Sequence, residues 1–312
     1  MGKILHITNG QILTDYLNEL DVAGDFLTWH EMLCEGPTVA HIDSDEFINV
    51  RKQFLKDFYE IELDESKFKK ELEKLNEVDL YSEIVLWFEY DLFCHMNLIA
   101  VMSLIHQREI KLPLYLVCSG RVKGEKEMKG LAELSKSQLL NHYKNKVELT
   151  NLDRDLAISL WRTYCGKDHN LFKPYITTIS SFKYMGACLK AHLTRYPDSK
   201  SGLGVLEENI LKIIKTKEVK SRNHLLGYIL NYQGYYGYGD LQLRRKINEL
   251  SIFFNESDEN ITLDRIGHEA LLGAKNYANR IDNNIAFGGI KRLDFQFDKR
   301  QNKLVKTTAN AD

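Results

Sequence analysis

Glu83-Ile-Val-Leu-Trp-Phe-Glu-Tyr-Asp91, leading into the uncharged stretch Leu92 to Gln107, decides the fold. The run Glu83 to Phe88 is short, apolar and bounded by polar turns, which suits a strand buried on both faces of a parallel sheet. The stretch after it is too long for such a strand and reads as a helix. With His95, Asn97 and His106 inside it, and a rise of about 1.5 Å per residue, it is too short and too polar to span a bilayer.

The same alternation extends outward. Ile4–Ile7, Asp25–Trp29 and Leu114–Cys118 are further strand-like runs, and Ile12–Leu20, Ser44–Tyr59 and Ser66–Asn76 are helix-like. Phe47, Val50, Phe54 and Phe58 recur at a spacing of three to four residues, which gives one apolar helix face. Strand–helix alternation predicts an α/β domain over residues 1–122, a small doubly wound and mainly parallel sheet. Gly120 to Gly130 is charged and punctuated by glycine, so it reads as an exposed loop. Leu131–Tyr143, Asp153–Tyr164 and Ser181–Arg195 carry helical spacing without a strand between them, a helical connector over 131–200.

From Ser201 the pattern changes. Helices over Val205–Lys215, His224–Leu230 and Asp240–Leu250 precede a hairpin, Ile252–Phe254 against Ile261–Leu263, and a closing helix from Asp264. Three helices, a two-stranded wing and a final helix predict a winged-helix-like domain over 201–304. A small α+β packing domain without nucleic acid accounts for the same pattern equally well. The polar residues 305–312 are expected to form a disordered tail.

Bulk composition narrows the function classes. The 312 residues suit more than one core, and 44% hydrophobic with 28% charged residues are ordinary globular values. A net charge of −2 exerts no global pull toward nucleic acid or membrane. The start of the chain lacks a secretory apolar region, and His6 stands where a myristoylation motif wants Ser or Thr. Five scattered cysteines without a C-x-x-C offer no zinc knuckle or redox pair and suit a reducing cytosol. The expectation is a cytoplasmic protein without a membrane segment.

In an open parallel sheet, ligands bind beyond the carboxyl ends of the strands. Thr8-Asn9-Gly10 follows the first strand and can present backbone N–H groups to an anion, although a single glycine is neither a dinucleotide fingerprint nor a P-loop. His30-Glu31 opens like a zinc-protease motif, but Cys34 occupies the place of its second histidine, so that chemistry is excluded. Glu31 and Glu35 bring carboxylates after the second strand. Glu89 and Asp91 lie two residues apart after the third, on one face if the strand continues. Two such carboxylates repel unless a proton or a divalent cation, magnesium or manganese, mediates; Asp91 also suits the N-cap of the next helix. Arg121, after the fourth strand, can neutralise an anion. In the C-terminal third, Arg244, Arg245 and Lys246 lie where a winged helix reads DNA, and residues 200–250 hold nine Lys or Arg against five Asp or Glu. Tyr232, Tyr235, Tyr236 and Tyr238 suit base stacking or, more commonly, packing.

Leu5-His-Ile-Thr-Asn-Gly10, Trp29 with Cys34-Glu-Gly-Pro37, and Leu86-Trp-Phe-Glu-Tyr-Asp-Leu-Phe93 resemble a bacterial family known as domain of unknown function 1835 over residues 3–122. The middle helices are similar to its companion, domain of unknown function 3658. Glu89 and Asp91 match the family pattern, whereas His30-Glu31 replaces the Arg-Asp common there. The resemblance implies the domain order and a bacterial, cytoplasmic setting, and no activity. Three functions follow as expectations. One is a ligand binder or enzyme acting on a phosphate-bearing small molecule or nucleic acid at the sheet edge, with Glu89 and Asp91 as catalytic or metal-binding groups. The second is a DNA-binding regulator. The third is a protein-interaction module presenting Tyr232 to Tyr238.

Overall fold

The protein is described here by a computed structural model covering residues 2–281 and 283–307. Strands β1 (Lys3–Asn9), β2 (Asp25–Trp29), β3 (Tyr81–Phe88), β4 (Leu114–Cys118) and β5 (Val147–Glu148) form one sheet in the order β2-β1-β3-β4-β5. The first four are parallel and β5 is antiparallel. Side chains alternate across a strand, and β3 shows the sorting directly. Ile84, Leu86 and Phe88 join one core with Phe54 of α2 (Asp45–Tyr59), Leu72 of α3 (Glu65–Glu73) and Leu98 of α4 (Leu92–Gln107). Val85 and Trp87 face the other way, onto Leu13 and Leu17 of α1 (Gln11–Glu19) and Leu139 of α5 (Lys136–Lys144).

Both faces are therefore covered, and the chain has the mixed α/β fold with a mainly parallel sheet that the alternation predicts. β2, β4 and α4 occupy the expected ranges to the residue. β5 was not expected. It is two residues long and exposed, so it leaves no apolar run to read. Within the expected Gly120–Gly130 loop, Gly120–Arg121 pairs with Met128–Lys129.

The chain leaves β1 toward β2 on one side and returns to build β3 and β4 on the other. The switch in strand order falls between β1 and β3, where this architecture opens a crevice.

The rest of the chain packs back on this unit through α6 (Asn151–Cys165), α7 (Met185–Thr194), α8 (Val205–Thr216), α9 (Arg222–Tyr232) and α10 (Asp240–Glu249). The hairpin β6 (Phe254–Glu256) and β7 (Ile261–Leu263) and helix α11 (Arg265–Leu272) follow. The hairpin starts at Phe254 because Leu250–Phe253 forms a helical turn that buries Phe253. One hydrophobic core runs from Leu5 to Leu304. Gly36–Pro37 pairs with Phe287–Gly288, joining the loop after β2 to the last third of the chain. Phe295–Asp298 pairs with Lys303–Lys306, so the tail expected to be disordered from residue 305 is a strand through Lys306. Residues 308–312 of that tail lie outside the described residues. Among the described residues no helix is long and apolar enough to cross a membrane.

Candidate functional site at the carboxyl edge of the sheet

The β3 strand ends at Phe88, and the next three residues carry the two carboxylates toward α4. Asp91 is the N-cap of α4, its Oδ1 accepting from the Cys94 N–H at 2.8 Å. The N–H groups of Leu92 and Phe93 are taken by the carbonyls of Tyr235 and Tyr236, at 2.7 and 3.2 Å. The first turn of α4 is thus closed by the aromatic-glycine loop of the last third. Glu89 is half-buried and accepts from the Leu131 N–H at 2.6 Å.

Donor atoms of Glu89, Asp91 and Cys94 all lie within 4.8 Å of one another. Neither carboxylate is paired with a lysine, arginine or histidine among the described residues. Burial, then the Asp91 charge, pushes the Glu89 carboxyl up. Burial also pushes Asp91 up, against the pull of the N–H groups that start α4. Two such groups titrate as a pair, and one proton held between them relieves the repulsion. Burial and both carboxylates raise the Cys94 thiol well above its ordinary range, so it is a thiol and not a thiolate.

The pair opens on a crevice of about 540 Å³ at the topological switch. Leu27, Trp29, Met32, Phe68 and Phe93 supply its apolar walls, and Asn9, Gly237 and Gln242 border it. Asn9 is held from below: its Nδ2 donates to Cys94 Sγ at 3.1 Å and its Oδ1 accepts from Asn97 Nδ2 at 2.8 Å. The same Asn97 amide binds the Glu31 carbonyl and the Leu33 N–H, so one buried side chain fixes the ends of β1 and β2 together. Gly237 (φ +66°) lies against the Asp91 carboxylate, and a Cβ there would come within 2.1 Å of its carbon.

The sequence-expected site residues divide into those at the crevice and those elsewhere. Asn9, Glu31, Glu89 and Asp91 line it. Thr8 is buried beneath it in a hydroxyl chain with Thr14 and Thr28. The Gly10 N–H is spent on the Trp29 carbonyl at 3.0 Å. Glu35 lies on the far side of its loop, buried against Tyr59 and Arg245. Burial pushes its carboxyl up, and the Arg245 and Lys246 charges outweigh this and hold it below its ordinary range. Arg121 lines a different groove, with Cys118, His142 and Tyr184. In α10, Lys246 is buried against Glu207 and Arg245 is engaged with Glu35 and Glu249, so Arg244 alone of the three is exposed. Cys94, Phe68, Gly237 and Gln242 were not singled out as site residues. Cys94 and Gly237 had signals, position three after Asp91 and a glycine among tyrosines; Phe68 and Gln242 reach the crevice only through tertiary packing.

No family model matches the chain, and no curated protein matches it. Among solved structures, the crystal structure of the Plasmodium falciparum topoisomerase II DNA-binding, cleavage and re-ligation domain is similar over 83% of this chain and 43% of that chain. The identity is 14% and the TM-score 0.46, a likeness that carries no functional argument, and the chain spans less than half the length of that one.

Proposed function

We propose that the protein binds and acts on a small molecule in the crevice between β1 and β3, with Glu89 and Asp91 as its working carboxylates. The observation that carries this reading is the pair itself: two carboxylates, close together and without a cationic partner among the described residues, at the mouth of a mostly apolar crevice at a switch in strand order. Structural carboxylates in a protein interior are ordinarily paired, as Glu31 is with Arg51 and Glu207 with Arg292. A pair left without one is suited to hold and pass a proton. Equilibrium dialysis of the protein against a metabolite mixture, followed by mass spectrometry, tests this. Compounds enriched by the parent and lost with Glu89→Gln and Asp91→Asn support it. Enrichment that survives both changes removes the site.

A phosphate-bearing ligand fits the same place through a divalent cation. Glu89 and Asp91 would hold the magnesium or manganese, and the ion would supply the positive charge that a phosphate group needs there. Stabilisation by added magnesium that disappears in Glu89→Gln is the expected signature of that form.

Membership of the domain of unknown function 1835 family belongs to the same proposal, because the motifs that carry the resemblance supply Asn9, Trp29, Glu89 and Asp91 of the crevice. The DNA-reading alternative is supported by the order of α8, α9, α10, the hairpin and α11, which is that of a winged helix. With Arg244 the exposed cation of the expected trio, Arg244→Ala would flatten the slope of log affinity against log salt by about 0.9 at most. Absence of duplex binding at low salt would end this alternative.

A further inference from the structure

Three features of the crevice beyond the carboxylate pair speak to what occupies it. The first is its charge. Glu62, Asp64 and Glu71 stand at its α3 side, while Lys67 is the one lysine or arginine among its described lining residues. Asp64 is spent as the α3 cap and Glu71 is matched by Lys74, but Glu89 and Asp91 are matched by no cationic side chain among the described residues. An anion entering here without a metal would meet acid at both ends.

The second feature is a pair of unsatisfied polar atoms. Trp29 is 2% exposed and its indole Nε1 has no hydrogen-bond partner among the described residues. Glu31 is 3% exposed; one oxygen takes the Arg51 guanidinium at 3.0 Å, and Oε1 has no partner among the described residues. Both residues line the crevice. A buried polar atom without a hydrogen bond is costly, so such atoms commonly mark where a ligand or water belongs. The third feature is the wall. Trp29 and Phe68 meet edge to face at 6.0 Å, and Phe93 and Leu27 extend the apolar surface. Aromatic faces beside carboxylates form the usual cradle for organic cations.

We infer that the crevice takes an organic ammonium, its cationic nitrogen on Glu89 and Asp91 and its apolar body against Trp29 and Phe68. This rests on the crevice being the site, and it goes further by choosing the ligand's charge. An ammonium supplies the counter-charge the pair lacks and the N–H donors that the free carboxylate oxygens can accept. A molecule with an acceptor further along its body also satisfies Trp29 Nε1.

The test uses the full chain in buffer with a chelator, followed by calorimetry and thermal melts. The probes are phenethylamine and its neutral and anionic counterparts, 2-phenylethanol and phenylacetate; magnesium chloride is added in a separate, chelator-free arm. Phenethylamine is expected to bind and raise the melting midpoint while the other two do neither. Glu89→Gln and Asp91→Asn, which keep the side-chain shape and the α4 cap, should each weaken phenethylamine about tenfold or more. Equal binding of phenylethanol or phenylacetate, lost in the same variants, overturns the ammonium assignment and leaves the crevice as the site. Stabilisation by magnesium alone, lost in the same variants, overturns it in favour of a metal. Phenethylamine binding unchanged in both variants overturns it by moving the amine elsewhere. No response to any probe overturns it and leaves the crevice itself to the dialysis test.

Discussion

Glu89 carries a testable cost at the scale of one side chain. Its carboxyl is held above its ordinary range by burial and by Asp91, so the folded protein binds that proton more tightly than the unfolded chain does. The sign follows from linkage: the stabilisation is fully present below the ordinary carboxylate range and is lost as pH rises through the raised value. Metal-free denaturant titrations at stepped pH should show the pair contributing a fall in stability from mildly acidic toward neutral conditions, against the opposite contribution of the buried neutral His95, His169 and His192. Glu89→Gln should flatten that fall and leave the protein more stable than the parent by roughly 1–2 kcal/mol at pH 8, because each tenfold difference in proton affinity between the folded and unfolded chain is worth about 1.4 kcal/mol. A parent and a Glu89→Gln variant whose stabilities change identically over the same range would show that the pair is not strained. Gly237 is the second residue-scale case. Its φ of +66° is costly for any other residue, and a Cβ would meet the Asp91 carboxylate at 2.1 Å. Gly237→Ala should therefore cost more than about 1 kcal/mol and displace the Tyr235 and Tyr236 carbonyls from the start of α4, whereas Gly234→Ala, with open space around it, should cost only what its left-handed backbone demands. Equal losses in the two variants would mean that the loop does not bear on Asp91.

Helices α8 and α10 are tied by an internal ionic cluster, and it explains why α10 does not present its basic run to solvent. Glu207 accepts from Arg292 at 3.0 Å and from Lys246 at 3.4 Å, with all three side chains buried. Its Oε2 also accepts from the Gly204 N–H at the head of α8. Glu207→Gln leaves two buried cations without a counter-charge and should destabilise by about 3–5 kcal/mol, measured by denaturant unfolding; a loss under about 1 kcal/mol would mean that water reaches the cluster. The hairpin Gly120–Arg121 with Met128–Lys129 is the opposite kind of element. Lys123 and Lys126 at its tip are exposed, and brief trypsin digestion should cut there first, with early fragments identified by mass spectrometry. The contrast shows what a linear reading sees. The parallel strands were legible because each concentrates apolar residues in one run, and α4 because its length excludes a strand. Glu89 and Asp91 were legible because their spacing and position after a strand are local. Arg244-Arg245-Lys246 looked like a solvent-facing basic run because Glu35 and Glu207, which engage two of its three cations, lie 210 and 39 residues away along the chain. Gly36–Pro37 pairing with Phe287–Gly288 left no trace, since two-residue strands carry no period.

Across the whole molecule, the crevice depends on parts of the chain far apart in sequence. Its floor comes from the ends of β1 and β2 and the turn after β3, and its far wall from Gly237, Gly239 and Gln242. Four connections hold these parts together: Gly36–Pro37 against Phe287–Gly288, Arg195 donating to both the Cys34 carbonyl at 2.5 Å and the Tyr238 hydroxyl at 3.2 Å, Arg245 on Glu35 at 2.8 Å, and the Tyr235 and Tyr236 carbonyls on α4. Each would leave a buried polar group unpaired if the last third swung away, and a core continuous from Leu5 to Leu304 would be opened at the same time. The expected behaviour is one cooperative unfolding transition for the entire chain. The tryptophans make this measurable. Trp29, Trp87 and Trp161 are all buried and all lie in the first 165 residues, so their fluorescence reports that part alone, while far-ultraviolet circular dichroism also reports α8 to α11. The two signals should change together along a urea titration, with one midpoint and one slope. A chain ended at residue 200 should lose the tryptophan transition or shift it to much lower urea, because Glu35 then lacks Arg245 and the start of α4 lacks its carbonyl partners. Two separated transitions, with an unchanged tryptophan midpoint in the shortened chain, would establish independently folding domains and overturn the single cooperative unit.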